Sequence, residues 1–291
     1  MASASGLEKL LFNERNPLYT SSFGTGELIK DAIDKGAEKI LLAIGGSATN
    51  DGGIGMAAAL GYYFLDEHGS ELSPIGNHLA QIAKIDGSRC PYRVALQTKK
   101  ISVEVLCDVN NPLYGERGAA HVYAPQKGAT QAIVLTLDDG LRHYARLVQQ
   151  QFQIDISPIP GAGAAGGLGA GAVTFLNAIL RPGIEVMMDY VKLEEQLSTC
   201  HLLITGEGRI DAQSLQGKLI KGLTSKAQHF KVPVVALCGA LQATPTQIQD
   251  LGLQAAFSIL NAPIQLEDAL SKTADLLTET AFHVGRLLIS K

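Results

Sequence analysis

The stretch Leu41-Leu42-Ala43-Ile44-Gly45-Gly46-Ser47-Ala48-Thr49-Asn50-Asp51-Gly52-Gly53 decides how this chain is read. An apolar strand, Lys39 to Ile44, runs into a glycine-rich turn, and a small-residue helix, Ile54 to Leu60, follows. That order sets free helix N–H groups at the carboxyl end of a strand, a place suited to an anion such as phosphate. A plain strand-to-helix turn also uses glycine for its geometry. Four glycines together with Ser, Thr, Asn and Asp in nine residues are more than a plain turn requires. Gly45, Gly46, Ser47, Thr49 and Asn50 are therefore candidate binding residues, and Asp51 is a candidate acid.

Outside this motif, composition narrows the field. The chain has 291 residues, enough for one large or two ordinary domains with a substantial core. At 46% hydrophobic and 18% charged residues it is expected to fold as a soluble protein. A net charge of −4 without a basic run leaves no electrostatic footprint for nucleic acid. No apolar run has the length of a membrane span, and no signal peptide opens the chain, so a cytoplasmic location is expected. The four cysteines, Cys90, Cys107, Cys200 and Cys238, show neither zinc spacing nor a disulfide framework.

The pattern along the chain predicts an α/β fold. Thr25 to Gly36 reads as a helix capped by Thr25, Tyr62 to Leu65 as a short strand, and Ile101 to Val109 as a longer one. Thr130 to Phe152 is a long amphipathic helix, and Ala172 to Leu180 reads as helix up to Pro182. Strands Leu202–Thr205, Val234–Leu237 and Ala256–Ile259 alternate with helices Ser214–Phe230, Thr246–Leu251 and Leu266–Leu288. Strand–loop–helix repeats of this kind imply mostly parallel sheets with helices on both faces. The Pro/Gly-rich stretch 157–171 suggests two domains, 1–160 and 161–291, the second of Rossmann-like or flavodoxin-like type.

Two further motifs carry chemistry. Gly206-Glu207-Gly208-Arg209-Ile210-Asp211 follows a strand directly and reads as a loop at the carboxyl end of a parallel sheet, where open α/β sheets bind ligands. Arg209 can clamp a phosphate or carboxylate with paired donors. Glu207 or Asp211 can hold Mg²⁺ where a nucleotide supplies the other ligands. Cys107-Asp108-Val109-Asn110-Asn111-Pro112 brings a second strand-end acid. Asp108 is readable as a general base, a metal ligand or a turn cap. Lys127, in Pro125-Gln126-Lys127-Gly128, is a candidate anion partner or a solvated lysine. Gly161-x-Gly163-x-x-Gly166 matches a dinucleotide fingerprint, but Ser157-Pro158-Ile159-Pro160 before it is a poor strand. Close approach of two backbones explains those glycines better. No G-x-x-x-x-G-K-[ST] loop and no protein-kinase motif set is present.

Taken in order, these blocks closely resemble those of bacterial type-1 glycerate kinases. They are Gly45 to Gly53, Cys107 to Leu113, Pro125 to Ala129, Gly161 to Gly167 and Thr205 to Asp211. The resemblance covers nearly the whole chain. It implies an ATP- and Mg²⁺-dependent kinase for D-glycerate, giving 2- or 3-phosphoglycerate, with two α/β domains. On that reading the nucleotide phosphates are expected near Gly45–Gly53 or Gly206–Asp211, including Gly206 and Gly208. Arg209 or Lys127 would take the glycerate carboxylate, and Asp108 or Asp51 the hydroxyl proton. The family's opening Pro-Asp-Ser-Phe-Lys and Asp-Gly-Gly-Glu-Gly-Thr motifs do not occur in this sequence. On that ground the chain is expected to lack some N-terminal strands, and a non-catalytic remnant that binds only nucleotide or a partner is the alternative reading. Oligomer formation is compatible with either.

Overall fold

The computed structural model describes residues 1–216 and 218–289. Two compact units divide the chain, Met1–Gly183 and Ile184–Lys291. In the first, helix α1 (Phe23–Asp34) precedes strand β1 (Lys39–Ala43), and helix α2 (Ile54–Ala59) follows the glycine-rich loop. Strands β2 (Tyr63–Leu65) and β3 (Lys84–Asp86) form an antiparallel pair. Next come strand β4 (Ser102–Leu106), the short helix α3 (Ala119–Tyr123) and the long helix α4 (Gln131–Phe152). Helix α5 (Ala164–Leu176) and strand β5 (Ile179–Arg181) complete the unit.

The central sheet is parallel throughout, in the order β1-β4-β5. Its middle strand carries Glu104, which pairs with Lys39 Nζ at 2.6 Å on β1 and Arg181 at 2.9 Å on β5. A charge in mid-sheet is tolerated here because both neighbours answer it. Helix α4 buries Val134, Leu137, Leu141, Tyr144 and Val148 at helical spacing, as its amphipathic pattern requires.

Several expectations are corrected. The expected helix over 172–180 ends at Leu176, where Asn177 turns left-handed (φ 51°), and Ile179–Arg181 pairs with β4 as a strand. A three-residue strand flanked by Asn177 and Pro182 is too short for its period to be legible. The domain boundary lies after Gly183, not after residue 160. Residues 161–183 belong to the first core: Phe175 meets Tyr62 and Phe64 at ring distances of 4.8 and 5.9 Å, and Gly52 donates its N–H to Gly166 O at 3.0 Å. Proline and glycine mark turns in packed segments as well as in linkers. Thr25 lies inside α1 and donates to Ser5 Oγ, while Ser22 takes the N-cap position.

In the second unit, helix α6 (Gly183–Tyr190), which begins at the junction, leads to strand β6 (Leu203–Ile210) and helix α7 (Lys218–His229). Strands β7 (Val234–Leu241) and β8 (Ala255–Ser258) and helices α8 (Leu266–Ser271) and α9 (Thr273–Ile289) follow. The sheet is parallel, β6-β7-β8, with a core on each face. Val234, Ala236 and Cys238 pack with Ile220 and Ala227 of α7, and Val235 and Leu237 pack with Leu276 and Val284 of α9. The mostly parallel, doubly covered α/β architecture is therefore as the pattern implied. Gly206–Asp211 is not a loop. It is strand through Ile210, in register with β7 (Arg209 opposite Ala240, Ile210 opposite Leu241). The single expected helix 266–288 is two helices that meet at Lys272.

Candidate active site

The glycine-rich loop after β1 is built around Asp51. Gly52 and Gly53 take positive φ (62° and 78°), which folds the chain back so that Asp51 points inward. Its Oδ2 accepts from Ser22 N and Ser22 Oγ, both at 2.7 Å, and from Gly55 N at 3.3 Å, while Oδ1 accepts from Gly53 N at 3.1 Å. Asp51 is fully buried, and burial pushes its carboxyl above the usual range against the pull of these bonds. Ser22 Oγ in turn accepts from Met56 N. Asp51 thus ties α1, the loop and α2 together. It does not line the cavity described next.

That cavity, about 410 Å³, opens at the carboxyl ends of β1 and β4. Gly45, Gly46 and Ser47 form one wall, and Leu106, Cys107 and Asp108 form another. Lys127 reaches it from the turn after α3. This lysine is buried, and its ammonium donates to Ser47 Oγ and Thr49 O, each at 2.7 Å. Burial pushes it down to about 7, with the charge of Asp51 opposing. An ammonium has three N–H donors. Two are held, so one remains for an anion in the cavity. The Asp108 carboxylate accepts from Gly183 N at 3.0 Å, which fixes it at the mouth between β4 and β5. Ala164 and Ala165 line the far side. Ala165, Gly166 and Gly167 make a left-handed turn (φ 55°, 72°, 90°). A non-glycine residue at such a φ is strained, and strain of this kind gathers at sites.

The expected site residues fall into three groups. Gly45, Gly46, Ser47, Lys127 and Asp108 share the cavity. Thr49, Asn50 and Asp51 lie behind the wall. There the Thr49 hydroxyl and both amide atoms of Asn50 are buried without a hydrogen-bond partner among the described residues. Gly206, Glu207 and Gly208 line a separate hollow in the second unit. Arg209 donates to Asp211 at 2.8 Å. Among the described residues no three His, Cys, Asp or Glu side chains cluster for a metal, and no helix is long and apolar enough to cross a membrane. Ser22, Tyr123, Gln126 and Ala165 were not singled out from sequence. Gln126, beside Lys127, could have been found by its neighbour; the others carry no local signal.

The sequence profile of the glycerate kinase family matches residues 1–289. The chain belongs to the glycerate kinase family. It is accordingly a kinase. A glycerate kinase of Halalkalibacterium halodurans is 44% identical over 98% of this chain and 74% of its own length. Glycerate 2-kinase of Escherichia coli is 41% identical over 99% of this chain and 74% of its own. A crystal structure from Salmonella typhimurium LT2, provisionally assigned as glycerate kinase 2, superposes with a TM-score of 0.87. It is 42% identical and covers 99% of this chain and 74% of that one. The glycine fingerprint at 161–166 serves close packing in this kinase: a Cβ on Gly166 would stand 2.0 Å from Thr49 O.

Proposed function

We propose that the chain transfers the γ-phosphoryl group of ATP, with Mg²⁺, to a hydroxyl of D-glycerate in the cytoplasm, giving 2-phosphoglycerate. One observation carries the reading: a buried ammonium and a strand-end carboxylate open onto one cavity walled by Gly45, Gly46 and Ser47. The name of the E. coli relative supports the 2-position.

Lys127 takes an anionic group of the substrate with its third N–H, and burial makes that contact strong. Asp108 accepts the hydroxyl proton as the oxygen becomes a nucleophile. Gly45 has nothing within 4 Å of where a Cβ would stand, so an oxyanion can approach its backbone closely. Asp51 acts by holding the loop in shape, not by touching the reacting atoms. A magnesium nucleotide needs only one or two protein carboxylates on its Mg²⁺. Glu207 and Asp211 are the carboxylates we assign to it; Asp211 also holds Arg209. When bound, MgATP supplies the electrophilic phosphorus and neutralises charge on the phosphates.

The test is ADP release from MgATP with D-glycerate, with the product position read by nuclear magnetic resonance. Glycerate-dependent release with phosphate on the 2-oxygen is expected. ADP release indifferent to glycerate would refute the acceptor, and phosphate on the 3-oxygen would refute the regiochemistry.

A further inference from the structure

Phosphorylation of one hydroxyl of glycerate leaves a second hydroxyl, and the polar side chains of the cavity decide whether it is recognised. Most of them are already committed. Ser47 is buried and bound to Lys127 at 2.7 Å, so the two make one anion-binding end. Cys107 donates its thiol hydrogen to Val109 O at 3.3 Å, and Tyr123 donates its phenol hydrogen to Asn111 Oδ1 at 2.6 Å. Asp108, fixed by Gly183 N, is the base. Gln126 also lines the cavity, and its carboxamide makes no hydrogen bond among the described residues.

The local helix places Gln126. From α3 the chain runs through Ala124, still helical at φ −70° and ψ −32°, into a 3₁₀ turn over Pro125–Lys127. Residues three apart lie over one another on such a turn. Gln126 therefore stands above Tyr123, and both line the cavity. Lys127 goes inward and is buried, whereas Gln126 and Asp108 are exposed at the rim. One deep cation and two polar groups at the rim match a three-carbon acid with a carboxylate and two hydroxyls. With the carboxylate on Lys127 and the 2-hydroxyl on Asp108, Gln126 is left for the 3-hydroxyl. A carboxamide both donates and accepts, as a hydroxyl does. We infer that Gln126 binds the 3-hydroxyl of glycerate and selects this acid over 2-hydroxy acids that lack one. The inference rests on the acceptor and the 2-position read above and adds what sets the choice of acceptor.

The test measures kcat/KM by ADP release for D-glycerate and for D-lactate, the same acid with hydrogen in place of the 3-hydroxyl. Both are followed in the unmodified chain and in Gln126→Met, which keeps the length and removes the carboxamide. Circular dichroism checks the fold. Gln126→Met is expected to lose about tenfold on D-glycerate and less than about twofold on D-lactate. Where lactate turns over too slowly to follow, its inhibition constant against glycerate takes its place and is expected to hold while KM for glycerate rises. An equal loss on both acids makes Gln126 a structural prop, and no loss on either shows that it touches neither. Each result overturns the inference and leaves glycerate as acceptor. Lactate that neither reacts nor competes also overturns it, since one hydrogen bond at an exposed rim does not exclude an acid outright. No glycerate-dependent ADP release from the unmodified chain overturns acceptor and inference together, and phosphate on the 3-oxygen overturns regiochemistry and inference together. Should Gln126→Met fail to fold, Gln126→Ala carries the same expectations.

Discussion

Replacing Lys127 by methionine keeps the unbranched stem and removes the ammonium. The residue is 1% exposed, and burial pushes its ammonium from 10.5 down to about 7. A base with a lower pKa in the folded state binds its proton less tightly there than in the unfolded chain. Folding is therefore penalised in full below the folded pKa, and the penalty fades as pH rises toward the unfolded one. With these two values it is on the order of 4–5 kcal/mol near about pH 6.5 and roughly 1 kcal/mol near about pH 9.5. Methionine carries no such penalty. It leaves Ser47 Oγ and Thr49 O without their donor, a loss of about 1–3 kcal/mol that does not depend on pH in this range. The stability of Lys127→Met relative to the unmodified chain is thus expected to be better by about 3 kcal/mol at the lower pH than at the higher. Urea unfolding of both proteins at the two pH values, followed by circular dichroism, reads this difference, and titrations common to both chains cancel. In the same variant kcat/KM for glycerate should fall by about 10³-fold or more. A stability difference that is the same at both pH values would refute the account of Lys127 as a desolvated cation, and with it the reason for placing the substrate's anion there.

Asp108→Asn should lower kcat by about 10²- to 10⁴-fold with KM for glycerate nearly unchanged, measured by steady-state ADP release; an unchanged kcat removes Asp108 as base. Asp51→Asn replaces an acceptor of four hydrogen bonds and should cost roughly 2–4 kcal/mol in denaturant unfolding; a loss of activity at full stability would instead make Asp51 a reacting group. Gly166→Ala puts a Cβ 2.0 Å from Thr49 O at a φ of +72° and should destabilise by more than about 3 kcal/mol, visible as a lowered melting temperature. Gly45→Ala meets nothing within 4 Å, so stability should hold within about 1 kcal/mol while affinity for the ligand drops; tight binding by that variant would show that no ligand approaches Gly45.

Much of the layout was legible because it is periodic. Helix α4 shows its buried stripe over 22 residues, and Thr130 caps it by accepting from Ile133 N. Strands β1, β4, β7 and β8 are short apolar runs with turn residues after them. β5 escaped notice because three residues between Asn177 and Pro182 carry no period. The continuation of β6 through Gly206–Ile210 was hidden by its glycines, which resemble a loop in sequence and pair as strand in space.

The sequence by itself determined the α/β class and the membership of a kinase family, because local pattern and motif identity are properties of neighbouring residues. Only the tertiary structure decided which of those residues meet. Lys127 and Ser47 are 80 positions apart and touch at 2.7 Å. Asp51, four residues from Ser47, is turned away from the cavity by two left-handed glycines and claimed by Ser22. Arg209 is occupied by a neighbour two residues on. Whether a polar group faces a ligand or serves as an internal strut depends on burial and on the partners that packing brings to it, and no local window of sequence contains either.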